Sequence, residues 1–256
     1  MTFRPEKHAF GLFLSKFMAF DVRNPDFFRY ICINYNKNNH KTPNRMKSIE
    51  RLVAEQLMAI KAVKLQPSEP FTWASGWHSP IYCDNRKTLA YPAIRTIIKT
   101  GLVSAVQRIY GGRVDAVAGV ATGAIAQGAL VADALGVPFL YVRSAPKDHG
   151  MGNLIEGEVQ AGWNVVVVED LISTGGSSLK AVAALRAAGV NVLGMVAIFT
   201  YQFPQAVKAF EEAGVELTTL SNYTELVAAA AEQGYVRESD IEVLKQWREN
   251  PSEWGR

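Results

Sequence analysis

Two adjacent acids at the end of an unbroken apolar run are the residues of this 256-residue chain most suited to chemistry. The run Val165-Val166-Val167-Val168 leads into Glu169 and Asp170, and Leu171, Ile172, Ser173, Thr174, Gly175, Gly176 and Ser177 come next, before a helical pattern opens. A buried strand that ends in a glycine-rich turn and then a helix presents unpaired amide N–H groups and the positive end of the helix dipole, which suit a phosphate. Ser and Thr hydroxyls add donors, and glycine admits close approach to the backbone. Two carboxylates beside an anion site fit a ligand that also carries hydroxyls, as a sugar phosphate does, or one that brings a magnesium ion. The plainer alternative is an ordinary strand-to-helix turn capped by Ser173 or Thr174. Other nucleotide signatures fit worse: there is no G-x-x-x-x-G-K-[ST], and Gly119-Val120-Ala121-Thr122-Gly123 lacks the dinucleotide spacing.

A second cluster lies upstream. Between two apolar runs, Arg143, Lys147 and His149 fall within seven residues and are followed by Gly150 and Gly152. Three cationic groups on a glycine-containing connection predict a lid that encloses a polyanion and then releases it. The same charges could instead be merely solvated.

These groups need a scaffold, and the hydrophobic pattern predicts one. Ile49, Leu52, Val53, Leu57, Ile60 and Val63 recur at spacings of three and four, as on one face of a helix. The β-prone stretch from Phe71 to Cys83, broken by Gly76 and Pro80, suggests a small irregular hairpin or hood. Pro92 suits the first turn of a helix running to about Tyr110. Then apolar runs at 114–120, 138–142, 164–168, 191–199 and 215–220 alternate with helical segments at 121–135, 177–188 and 204–213, and two helices close the chain. Ser239-Asp240-Ile241-Glu242 reads as a capping box at the start of the last. Continuous β-branched strands without polar alternation, separated by helices, indicate an α/β fold with a parallel sheet buried on both faces.

Composition is ordinary for such a domain, with 48% hydrophobic and 20% charged residues. No apolar stretch approaches the roughly 18 residues of a bilayer-spanning helix, which argues against a membrane protein. The two cysteines, Cys32 and Cys83, form no metal-spaced set, so a reducing compartment, the cytoplasm, is expected. The net charge of +3 is unevenly placed: residues 1–45 hold eight Lys or Arg against three acids, and the remainder holds 19 against 21. The body therefore shows no electrostatic footprint for nucleic acid. Residues 1–45, with seven Phe and the Asn-rich run from Asn34 to His40, look foreign to the rest of the chain. They could be a targeting peptide or a partner-binding arm; the expectation is an upstream segment outside the native product, with translation starting at Met46. The domain is expected over 46–256, with the hood at about 66–90 and the core at about 91–256.

The stretch from Val165 to Ser177 resembles the phosphoribosyl diphosphate signature of the type I phosphoribosyltransferases. The segment from Arg143 to Gly157 resembles the catalytic loop of the orotate phosphoribosyltransferase family, and Phe71 to Arg86 its amino-terminal hood. The three motifs stand in the expected order and span essentially 46–256. The resemblance implies a type I phosphoribosyltransferase-like sheet and a transferase making orotidine 5-monophosphate and diphosphate from orotate and phosphoribosyl diphosphate, with Mg2+ bound mainly through substrate. Glu169 and Asp170 would face the ribose hydroxyls, Ser173, Thr174, Gly175, Gly176 and Ser177 would cradle the 5-phosphate, and Leu171 and Ile172 would also belong to the phosphoribosyl diphosphate site. Arg143, Lys147 and His149 would act catalytically on the diphosphate, reaching across a homodimer with shared sites. Ser173 would also touch orotate. Some members carry lysine where this chain has Ser144, Ala74 and Gly123, and arginine where it has Tyr201, which leaves the partner of the orotate carboxylate open. Arg86 is the first candidate and His78 the second, although Arg86 could simply pair with Asp84. A phosphoribosyltransferase for another base, a non-catalytic nucleotide- or RNA-binding regulator on the same fold and a generic α/β binding module remain the alternatives.

Overall fold

The computed structural model describes residues 48–145 and 154–255. Helix α1 (Ile49–Ala59) is followed by strands β1 (Val63–Leu65), β2 (Phe71–Thr72), β3 (His78–Ser79) and β4 (Ile81–Cys83), then a 3-10 helix at Asn85–Ala90 and α2 (Pro92–Tyr110). The core continues with β5 (Ala116–Val120), α3 (Ile125–Leu135), β6 (Phe139–Val142), β7 (Ile155–Glu156), β8 (Asn164–Ile172), α4 (Gly176–Ala187) and β9 (Asn191–Thr200). It ends with α5 (Pro204–Glu212), β10 (Leu217–Asn222), α6 (Tyr223–Glu232) and α7 (Glu238–Glu249).

Six strands form one sheet in the order β10-β9-β8-β5-β6-β7, parallel throughout except for β7, which runs antiparallel to β6. Val165, Val166, Val167 and Val168 of β8 are wholly buried, as expected for a central strand covered on both faces. From β5 the chain moves to β6 in one direction, then returns to β8 and proceeds through β9 to β10 in the other. This reversal puts the α3 and α4 crossovers on opposite faces and opens a crevice beyond the carboxyl ends of β5 and β8. Helices α1, α2 and α3 pack in series, while α4 packs with α5.

The hood consists of two antiparallel pairs, β1 with β4 and β2 with β3. Aromatic packing fixes it to the core: Trp73 meets Tyr201 at 5.2 Å and Trp247 at 5.7 Å between ring centroids. The Trp247 indole also donates to the His78 carbonyl at 3.2 Å, so α7 ties down the hood.

Several boundaries differ from the sequence expectation. Helix α1 stops at Ala59, because Lys61 takes a positive φ of 55° and Val63 opens β1 instead of continuing the helical face. Residues 121–124 lie outside α3, which begins at Ile125. Strand β8 continues past the acids to Ile172, so Glu169 and Asp170 sit within it. The last helix starts at Glu238, where the Asp240 carboxylate accepts from the Arg237 backbone N–H at 3.2 Å, in place of the expected box from Ser239 to Glu242.

Candidate active site

The crevice at the strand-order reversal is a cleft of about 340 Å³. Cys83, Asp84 and Arg86 line it from the hood, Val120 to Gly123 from the β5–α3 loop, Glu169, Asp170 and Leu171 from β8, and Ser177 from α4. A larger cavity of about 500 Å³ lies between α1, α2 and β10, around Gly101 and Leu220, but offers neither a carboxylate pair nor a glycine-rich turn. The smaller cleft is therefore the candidate active site.

At the anion end, Gly175 stands before α4 in the left-handed region at φ +82°, and a Cβ there would come within 2.8 Å of the Phe210 ring. Both the backbone and the packing thus require glycine. No side chain caps α4. Ser173 and Thr174 are therefore not ordinary helix caps, and the first amides of α4 are left for an anion.

The two acids occupy different environments. Glu169 is buried: one carboxylate oxygen accepts from the Ser178 hydroxyl at 2.9 Å and the other from the Asp170 amide at 2.9 Å. Burial, and then the adjacent Asp170 charge, push its carboxyl well above the usual carboxylate range. Asp170 is also raised by burial, opposed by its hydrogen bond with Glu169 and by the Arg86 charge. Its carboxyl group lies over the Cα of Gly123, where any Cβ would overlap it. Burial and the closeness of the two carboxyls disfavour full ionisation of the pair, and hydroxyls that enter can hydrogen-bond to it.

Arg86 lines the cleft, yet its guanidinium grips Asp84 through two contacts, Nε at 2.7 Å and Nη2 at 3.2 Å. The ion-pair alternative and the binding candidate thus coincide in one rim residue. His78 is exposed on the hood and does not line the cleft. Arg143 follows β6, and its side chain reaches Glu156 at 3.3 Å rather than this cleft. Lys147 and His149 lie outside the described residues. Ile172 is wholly buried at the end of β8, its carbonyl accepting from the Tyr201 amide, and does not line the cleft, whereas Leu171 does.

Sequence reasoning missed Ser178, Asn85 and the 121–124 loop. Ser178 follows the recognised turn by one residue and gave no separate signal. The Asn85 amide donates to the Asp170 carbonyl at 2.6 Å across 85 positions, a separation no local pattern reveals. Only the glycine spacing at Gly119 and Gly123 hinted at the loop.

Known proteins resemble this chain over most of its length. The family described as phosphoribosyl transferase domain matches residues 87–214. The orotate phosphoribosyltransferase of Bacteroides fragilis is 61% identical over 209 residues, covering 82% of this chain and 98% of its own. That of Porphyromonas gingivalis is 57% identical over 210 residues, covering 82% and 100%. Among solved structures, orotate phosphoribosyltransferase from Aeropyrum pernix superposes with a TM-score of 0.60 at 28% identity, covering 72% of this chain and 99% of its own.

Proposed function

This chain belongs to the orotate phosphoribosyltransferase family, and from that premise we propose that it transfers ribose 5-phosphate from phosphoribosyl diphosphate to orotate in pyrimidine (UMP) synthesis. The products are orotidine 5-monophosphate and diphosphate. One observation carries this assignment: an uncapped helix amino terminus and an acid pair share one cleft at the switch point of the sheet.

Each role follows from charge and position. The amides and hydroxyls from Ser173 to Ser177 take the 5-phosphate at the start of α4. Asp170, open to the cleft, accepts from a ribose hydroxyl, while Glu169, steadied by Ser178, completes the sugar site. Breaking the anomeric C–O bond leaves an electron-poor ribose and gathers negative charge on the departing diphosphate. The acids favour the first, and Arg143, Lys147 and His149 favour the second. Removing one such preorganised group typically costs on the order of 10² to 10³ in rate. That Arg143 turns to Glu156 and not into the cleft of its own chain supports a homodimer whose basic loops serve the neighbouring sites. Arg86 at the rim is assigned to the orotate carboxylate, with Ser173 as a second contact to the base.

No cluster of three or more His, Cys, Asp or Glu that could cage a metal exists among the described residues. Asp84 and Asp170 nevertheless both line the cleft, which fits an ion that takes one or two carboxylates and most of its oxygens from substrate, as Mg2+ does. Asp170 would hold it, and when bound it supplies charge neutralisation to the diphosphate. Among the described residues no helix is long and apolar enough to cross a membrane; the cytoplasm is the proposed site of action.

Purified full-length chain supplied with phosphoribosyl diphosphate and Mg2+ tests the assignment, with orotate, uracil, adenine and hypoxanthine compared as acceptors. Turnover with orotate alone is expected, and equal activity from residues 46–256 by themselves would place the working unit there. Preference for any other base, or no turnover, would refute the substrate assignment.

A further inference from the structure

The hood and the two ligand-facing loops are joined below the cleft by a buried polar chain. Asn85, at the start of the 3-10 helix, is 1% exposed, and its Nδ2 donates to the Asp170 carbonyl at 2.6 Å. Its Oδ1 accepts from the Cys83 thiol at 3.4 Å. One turn on, the wholly buried Thr88 hydroxyl donates back to the Asn85 carbonyl at 2.6 Å and accepts from the Gln127 amide at 3.2 Å. Gln127 is 1% exposed in the first turn of α3, just after the 121–124 loop that lines the cleft. A hydrogen-bonded chain out of water has few alternative partners, so it fixes the segments it joins relative to one another.

We propose that Asn85 is a positioning residue for the sugar-phosphate site: through Asp170 on one side and Thr88 and Gln127 on the other, it holds the acid pair and the β5–α3 loop in register. This rests on the assignment of the cleft to phosphoribosyl diphosphate. Asn85 does not line the cleft; it acts by setting where the Asp170 backbone, and therefore its carboxylate, stands over Gly123. The charged or titratable groups around it are Tyr82, Cys83, Asp84, Arg86 and Lys87 on the hood, Glu169 and Asp170 on β8, and Tyr201 after β9.

Calorimetry of phosphoribosyl diphosphate with Mg2+ on the full chain, alongside initial rates with orotate, reads this directly. Asn85→Ala is expected to weaken binding and raise the KM for phosphoribosyl diphosphate by about 10- to 100-fold, the range seen when supporting hydrogen bonds behind a site are lost. A purely structural loss would raise the KM for orotate in step with that for phosphoribosyl diphosphate, whereas the positioning role leaves the orotate KM within about twofold of wild type. A parallel rise in both overturns the proposal. So does Asn85→Ala binding within about twofold of wild type. Should Asn85→Ala fail to fold, Thr88→Val, which cuts only the far end of the chain, is expected to weaken binding by about threefold to tenfold; no change would equally overturn it. Because binding is read without a base, a wild type that binds the donor but ignores orotate would sink the substrate assignment alone, whereas one that does not bind the donor sinks both.

Discussion

Gly123→Ala separates ligand binding from stability. Gly123 has no positive φ, so alanine is conformationally acceptable and even gains about 0.4–1 kcal/mol by restricting the unfolded chain. The new Cβ, however, would overlap the Asp170 carboxyl group. Asp170 is short and borders open space, so it can turn aside at about 0.5–1.5 kcal/mol for leaving its rotamer. The two terms nearly cancel, and the melting temperature should stay within about 5 °C of wild type, since about 1 kcal/mol moves a domain of this size by roughly 2–4 °C. The displaced carboxylate no longer meets the sugar. Losing one hydrogen bond to a charged group is worth about 1.5–3 kcal/mol, which corresponds to about 10- to 150-fold in affinity. Calorimetry with phosphoribosyl diphosphate and a thermal melt on one preparation check both halves. The double variant with Asp170→Ala should bind no more weakly than Asp170→Ala alone, because both changes remove the same contact. Unchanged affinity for Gly123→Ala would refute the idea that the glycine keeps room for Asp170.

Two further perturbations address charge. The Glu169 carboxyl is raised above its ordinary value near 4.5, so the folded protein holds its proton more tightly than the unfolded chain. The stability linked to it is present in full below that ordinary value and is lost as pH rises through the folded pKa. Glu169→Gln should therefore gain melting temperature relative to wild type on going from about pH 5 to about pH 8 in the ligand-free state, while losing turnover; parallel melting curves would show that the acid carries no such burden. Lys147→Ala should lower kcat more than it raises KM, as removal of a group that acts on the leaving diphosphate requires, and an intact kcat in steady-state rates would exclude that role.

Much of the scaffold was legible because it rests on local signals. The four buried valines of β8, Pro92 at the start of α2 and the turn from Ser173 to Ser177 each announce their structure within a few residues. Boundaries failed where tertiary packing outweighed local pattern. Val63 has helical spacing from Leu57 and Ile60, yet pairs with Cys83 in the hood. Ala121 and Thr122 look helical by their small-residue context but line the cleft, with a cis peptide bond between them.

Sequence by itself determined the chemistry at hand: a carboxylate pair in a buried strand, a glycine-rich turn after it, and a helix whose amino end faces outward, all set within fifteen residues by short-range sterics and hydrogen bonding. Only the tertiary structure decided how those groups divide their work. Glu169 is buried against Ser178 while Asp170 faces the cleft across Gly123, and Arg86 arrives already paired with Asp84. Asn85 reaches the acids from 85 positions away. These assignments depend on which strands neighbour each other and which way the order reverses. Burial and long-range hydrogen bonds, which fix protonation and orientation, exist only once the sheet has closed around them.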